Sequence, residues 1–244
     1  RDFVANVSHE LKTPVGALSL LAETVEGAAD DPDAVRRFAG RMQQEAARLT
    51  SLVQDLITLN RIQGDEPLTD LRPVLLDDVC AEAIDRVRLK AGAKNIEVAT
   101  GGGSGLTVRG DEELLTTALR NLIDNAVAYS PDNTRVVVVT RQAEDERVEI
   151  SVTDQGIGIS EADLGRIFER FYRVDPARSR NTGGTGLGLA IVKHVTTKHG
   201  GDVTVWSKEG SGSTFTIRLP LLSAKPQQDS VQNTERKTVR EATP

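Results

Sequence analysis

The sequence predicts an α+β fold in two parts: a two-helix dimerisation hairpin, which makes a four-helix bundle as a dimer, followed by an α/β sandwich domain. Apolar residues recur three or four apart across residues 1–64, and Gly64, Asp65, Glu66 and Pro67 then break that rhythm. The remainder alternates helical stretches with short runs of period two, as helices packed on a sheet require. The boundaries drawn are a hairpin over 1–64, a linker over 65–67, a second domain over 68–222 and a tail over 223–244.

In the first helix Val4, Val7, Leu11, Leu18, Leu21 and Val25 hold the register, with Pro14 occupying one place in it. Asp30, Asp31, Pro32 and Asp33 form a capping stretch. The rhythm resumes at Val35, Phe38, Met42, Leu49, Leu52, Leu56 and Leu59, with Glu45 the polar exception. A lone helical hairpin leaves its apolar stripes poorly covered, so a homodimer is expected. Past the linker, short strands at 69–76 and 95–100 flank a helix at 77–92, and the glycine-rich segment 101–105 makes a flexible turn before 106–109. Asp111 caps a strong helix that runs to Tyr129. "TRVVVVTRQ" and "RVEISVTD" read as adjacent strands, a helix covers 186–199 and stops at Gly200 and Gly201, and "DVTVWS" pairs with "STFTIRLP". Cys80 and Trp206 fall in these elements and are assigned to packing. After 223 the large apolar residues nearly vanish, which predicts a disordered tail.

Composition removes several functions. With 244 residues, 38% of them hydrophobic, the chain can build real cores. A net charge of −6 leaves no basic surface to track a phosphate backbone, so nucleic acid is not an expected partner. A single cysteine excludes a disulfide framework and any cysteine-rich zinc site. No apolar run approaches the roughly 18–20 residues of a membrane span, so a soluble chain is expected. Because it opens at Arg1 inside a helical pattern, it reads as the cytosolic piece of something longer.

Four sets of residues carry chemistry. His9 lies two residues, or about 200° around a helix, from both Val7 and Leu11, so it should face solvent. Pro14 has no N–H for the carbonyl of Glu10, which predicts a kink one turn on. Glu10 can hold one imidazole nitrogen and leave the other free to attack. A solvated histidine beside an incidental glutamate is the plain alternative, and a zinc-protease pattern is excluded because Thr13 stands where a second histidine is needed. Asp154 ends a strand and is followed by Gly156 and Gly158; its carboxylate would accept from the amine of adenine while the glycines admit a flat ring, unless the motif is a simple turn. Gly183, Gly184, Gly186 and Gly188 open a helix whose free N–H groups would receive phosphate, with Arg173, Arg178 and Arg180 as charge partners. Asn121 and Asn125 share a helix face opposite a stripe of Leu115, Leu119, Leu122 and Ala126; their amide oxygens suit a Mg²⁺ bridging nucleotide phosphates, or they are ordinary polar-face residues. His194 and His199 have no comparable setting and are assigned to structure.

Together and in this order, the motifs resemble the sensor histidine kinases of two-component signalling, across residues 1–222. "SHELKTP" resembles the family's H box, "NLIDNAVAYS" its N box, "DQGIGI" its G1 box, "FERFYR" its F box and "GGTGLGLAI" its G2 box, with the phosphate-sensing branch the nearest likeness. The resemblance implies a sandwich domain of the histidine-kinase type that binds ATP. It implies that His9 takes the γ-phosphoryl group, that Glu10 raises the basicity of its other nitrogen, and that Thr13 orients a water when the bundle dephosphorylates a partner. Asn125 and Asn121 would hold Mg²⁺, Asp154 would bind the adenine amine, Gly156 and Gly158 would shape the base pocket, and Gly184, Gly186 and Gly188 would line the phosphates. The phosphoryl group would pass to an aspartate of a response regulator receiver domain. The chain would be the cytoplasmic portion of a cell-membrane sensor protein whose N-terminal region lies outside this sequence, with the linker as a hinge. Ala128 departs from the family's frequent lysine or arginine at that place, so one phosphate contact is either missing or supplied by the arginines of the loop before the glycines. Two competing readings are a nucleotide-driven clamp, which would have no need of His9, and a scaffold or phosphatase module in which ATP sets only the conformation.

Overall fold

The computed structural model describes residues 2–64, 68, 71–175 and 184–222; the linker 65–67, the tail 223–244, Arg178, Arg180 and Gly183 lie outside the described residues. Helix α1 (Asp2–Gly27) runs unbroken through the buried Pro14, and α2 (Pro32–Gln63) returns beside it. Asp31 makes the turn: its Oδ1 accepts from the amides of Asp33 and Ala34, and Pro32 at the first helical position needs no partner. Val4, Val15, Leu20, Val53 and Ile57 stay exposed along the hairpin.

The second part begins with β1 (Arg72–Leu75) and α3 (Leu76–Ala93), then β2 (Glu97–Gly102) and β3 (Thr107–Gly110). Helix α4 (Glu112–Tyr129), β4 (Arg135–Gln142) and β5 (Arg147–Thr153) follow, with the short α5 (Glu161–Leu164). The chain closes with α6 (Gly188–Lys198), β6 (Asp202–Lys208) and β7 (Gly212–Pro220). Five strands form one sheet in the order β2-β4-β5-β7-β6, parallel only between β2 and β4, while β1 and β3 make a separate antiparallel pair. Period-two alternation turns Val136, Val138, Val148, Ile150, Val152, Phe215, Ile217 and Leu219 onto the helices, where they meet Leu119, Leu122, Ile123, Ile191 and Val195 in one buried core. Each such side chain contributes about 1.5–3 kcal/mol when fully buried. The α/β sandwich is as expected.

Three details differ from the sequence reading. Strand β2 runs on into its glycines, because Gly101 and Gly102 pair with Val139 and Thr140; a Cβ at Gly102 would lie 1.9 Å from the Thr140 carbonyl oxygen. The helix expected over 186–199 is shorter, since Gly186 has φ +73 and cannot sit in a right-handed turn. Trp206 is not a core residue: it is 64% exposed, because on β6 the half-buried positions are Val203, Val205 and Ser207, and period-two alternation turns Trp206 to the other face. Cys80 is buried as expected, and burial pushes its thiol up to about 11.

Helix α4 is pinned at both ends. Asp111 caps it through Oδ1 to the Leu114 amide, and the Asp111 amide donates to His199 Nε2 at 3.0 Å. His199 Nδ1 lies 2.7 Å from the Val195 carbonyl oxygen; since Nε2 accepts, Nδ1 carries the proton and the ring is neutral. At the other end Lys94 Nζ donates to the carbonyls of Val127, Ala128 and Ser130. The structural role expected of His199 is therefore a specific one, joining the end of α6 to the start of α4. Burial holds its pKa below the ordinary 6.5. An unfolded chain then binds more protons than the folded one between those two values, so the contribution is complete above 6.5 and is lost as pH falls through the folded pKa. Urea titrations between pH 5 and 7.5 should show stability falling with acid in the parent chain and a shallower slope in His199→Gln; an unchanged slope would remove His199 from the pH dependence.

Candidate functional site

His9 stands on the exposed face of α1, its side chain 81% accessible. Its Nδ1 is 3.9 Å from Glu10 Oε1, close enough for attraction and longer than a hydrogen bond. The other carboxylate oxygen explains the distance. Glu10 Oε2 accepts from Arg173 at 2.9 Å and lies 3.8 Å from Arg48 on α2, so the carboxylate faces the imidazole with one oxygen and two guanidinium groups with the other. Arg48 is itself held by Glu45. The Thr13 hydroxyl, one turn below His9, donates back to the His9 carbonyl at 3.2 Å, the carbonyl next in line to Glu10's, whose partner Pro14 removes.

Asp154 follows the last residue of β5 and is buried. Its Oδ1 accepts from the amides of Gly156 at 2.7 Å and Ser213 at 3.2 Å, which fixes the carboxylate and leaves Oδ2 for an incoming donor. Burial raises its pKa above the ordinary 3.8 against the pull of those two amides. The glycines are sterically required. At Gly156 a Cβ would meet Asp154 Oδ1 at 2.7 Å, and at Gly158, with φ +71, it would stand 2.1 Å from the Lys208 carbonyl oxygen.

The glycine-rich stretch at the start of α6 curls against the segment after α5. Gly186 accepts at its carbonyl from the Phe171 amide at 2.8 Å, and Phe171 adopts a left-handed φ of +64 to make that contact. A Cβ on Gly186 would be 2.9 Å from Phe171 Cα and 3.2 Å from Arg173 Nε. Arg173 thus touches both the glycine loop and Glu10, with its Nε buried and without a hydrogen-bond partner among the described residues. Asn121 on α4 is buried beside Gly188, its amide 3.4 Å from the Gly188 carbonyl, and its Oδ1 is 3.4 Å from Arg120. Asn125, one turn on, is half-buried on the same helix. Both contacts to Asn121 are long, and its amide oxygen, a hard neutral donor of the kind Mg²⁺ takes, lies on the side of Gly188. Among the described residues no cluster of three or more His, Cys, Asp or Glu forms a metal site.

Known proteins bear on both halves. The family model described as "His Kinase A (phospho-acceptor) domain" matches residues 1–65, and "Histidine kinase-, DNA gyrase B-, and HSP90-like ATPase" matches residues 110–223. The solved structure of the mycobacterial sensor histidine kinase MprB is 35% identical with a TM-score of 0.55, over 62% of this chain and 98% of that one. The chain belongs to the sensor histidine kinases of two-component systems. Within that family it is similar to the sensor-like histidine kinase SenX3 of Mycolicibacterium smegmatis, 54% identical over 220 residues, which are 90% of this chain and 57% of the relative. The phosphate regulon sensor protein PhoR of Pseudomonas aeruginosa is 38% identical over 221 residues, 90% of this chain and 49% of the relative. The chain therefore spans about half the length of these curated relatives. Among the described residues no helix is long and apolar enough to cross a membrane.

The predicted residues fall into two groups, one around His9 with Glu10 and Thr13, and one around Asp154, Asn121, Asn125 and the glycines, and Arg173 bridges them. Sequence reasoning missed Arg48 and Asp55, which lie on the inner side of α2. A signal for Asp55 was present, since it falls between Leu52 and Leu59 in the apolar stripe where a carboxylate has no cheap place. Gly158→Ala should lower stability by roughly 1–3 kcal/mol from the left-handed backbone alone, before the clash is counted. A thermal melt within a degree of the parent would show that the loop relaxes freely.

Proposed function

We propose that this chain phosphorylates its own His9 from ATP and then passes the phosphoryl group to an aspartate of a response regulator receiver domain. The observation that carries the reading is His9 itself: an exposed imidazole with Nδ1 turned to a carboxylate, on a face the nucleotide domain reaches through Arg173. With Nδ1–H directed at Glu10, the Nε2 lone pair attacks the γ-phosphorus, the bond from phosphorus to the β,γ-bridging oxygen breaks, and ADP departs with that electron pair. The Nδ1 proton, made acidic by the new N–P bond, moves toward Glu10. Asp154 Oδ2 would accept from the adenine amine, with Gly156 and Gly158 admitting the ring. Gly184, Gly186, Gly188 and Arg173 would line the phosphates. Asn121 and Asn125 would hold Mg²⁺, which when bound neutralises charge on the phosphates.

Because Arg173 and Arg48 share Glu10 in this arrangement, the proposed reaction requires the nucleotide domain to shift along the hairpin, with the linker 65–67 as the hinge between domains 1–64 and 68–222. The large apolar side chains left exposed along the hairpin support a homodimer. Thr13 would orient a water in a phosphatase reaction on the same regulator. The likeness to PhoR supports a phosphate-sensing role, and the length of the relatives supports a membrane sensor region outside this sequence.

Incubation with γ-labelled ATP and Mg²⁺ should give an acid-labile, base-stable label on the parent chain and none on His9→Gln. A label that persists in His9→Gln, or none on either chain despite bound nucleotide, overturns autophosphorylation at His9. Asp154→Asn presents the adenine amine with an amide that has only one acceptor oxygen and is uncharged. Calorimetry should give ATP binding at least about ten-fold weaker, the 1.4 kcal/mol expected from weakening one hydrogen bond to a charged group; equal affinity would move the adenine site elsewhere.

A further inference from the structure

Asp55 belongs to none of the roles above. It sits on the hairpin, and it is 6% exposed. Its Oδ2 accepts from the hydroxyl of Thr185 at 2.6 Å, across a gap of 130 residues in the chain. Thr185 is itself buried, lies between Gly184 and Gly186, and its oxygen accepts from the Leu187 amide at 3.2 Å. A threonine hydroxyl has one proton. While that proton points at Asp55, it cannot serve a phosphate oxygen, and the Leu187 N–H at the entrance of α6 is occupied as well. The glycine loop is thus closed on itself by a side chain that comes from the other half of the molecule.

The charges around Asp55 sharpen the conflict. Arg120 and Lys90 face it with attraction and Asp124 with repulsion, but Lys90 Nζ is already 2.7 Å from Asp124 Oδ1 and Arg120 Nε has no hydrogen-bond partner among the described residues. Burial raises the Asp55 pKa from its ordinary 3.8 against the pull of the Thr185 hydroxyl, which Oδ2 accepts. A triphosphate laid along 184–188 would bring several negative charges to the same buried place.

We infer that Asp55 is a positioning residue that latches the glycine loop shut, so that the hairpin's carboxylate and the nucleotide triphosphate compete for the Thr185 hydroxyl. The inference rests on the reading of 184–188 as the phosphate site. Competition for one loop makes docking and binding opposed, and linkage makes the opposition mutual: the hairpin weakens nucleotide binding by the same factor by which nucleotide weakens docking. Adding ATP would then release the domain that must move to His9, and an empty nucleotide domain would stay parked on α2.

The test is ATP affinity by calorimetry on the whole chain, for the parent, Asp55→Ala and the isosteric Asp55→Asn, with hydrogen exchange followed over 52–59. Asp55→Ala should bind ATP at least about five-fold more tightly, the low end of measured couplings between sites, and Asp55→Asn should lie between it and the parent. Exchange over 52–59 should rise in the parent when ATP is added and be high in Asp55→Ala without it. Should Asp55→Ala fail to fold, Asp55→Asn alone decides, by binding ATP more tightly than the parent. Binding of equal or lower affinity in the variants overturns the latch while leaving the phosphate site intact. Binding by no form of the chain overturns the phosphate site, and the latch falls with it.

Discussion

A helix buried on most of its surface can keep its ends only if other parts of the chain satisfy them, and α4 is such a helix. Asp111, His199 and Lys94 do this from three different elements. Arg61 of α2 also reaches Asp111, at 2.9 Å, so the cap that starts α4 is shared with the hairpin. From that fixed axis the rest follows. Asn121 comes to the loop side, the apolar stripe meets the sheet, and α6 is held against α4 at its C-terminal end by the same histidine that completes the cap.

The two halves meet through both polar and apolar contacts. Glu10 with Arg173, Asp55 with Thr185 and Asp111 with Arg61 all join the hairpin to the second domain, while Leu52, Leu59 and Ile62 supply the apolar part of the same seam. The polar pairs in this seam can be exchanged for water and phosphate at moderate cost, whereas its aliphatic side chains give up burial when it opens. That is the balance a domain needs if it must both rest against its partner and leave it. The Glu149 carboxylate shows the contrasting case: burial acts to raise its pKa, Arg141 and Arg218 outweigh it, and the resulting cluster holds strands of one sheet together without any need to open.

Much of this was legible in the sequence, for identifiable reasons. The hairpin declares itself through a rhythm that only a helix shares, and Asp31 and Asp111 mark helix starts because few residues cap so well. Gly156, Gly158 and Gly186 are legible because no other residue fits the contacts they make. What escaped notice depends on distant partners. His199 reads as a helix end until the Asp111 amide, 88 residues away, is brought to it. Asp55 reads as an irregularity in a stripe until Thr185 arrives. The reach of β2 into Gly102 and the outward position of Trp206 depend on neighbouring strands, which period-two patterning does not identify.

Trp206 is the chain's only tryptophan, and it stands on the solvent side of β6 opposite Thr214. Its indole is largely hydrated while the protein is still folded. The native emission of this chain therefore belongs to water-exposed indole at the sheet's margin, and an optical signal taken from it follows the peeling of an edge strand, while the aliphatic core beneath α4 and α6 remains spectroscopically silent.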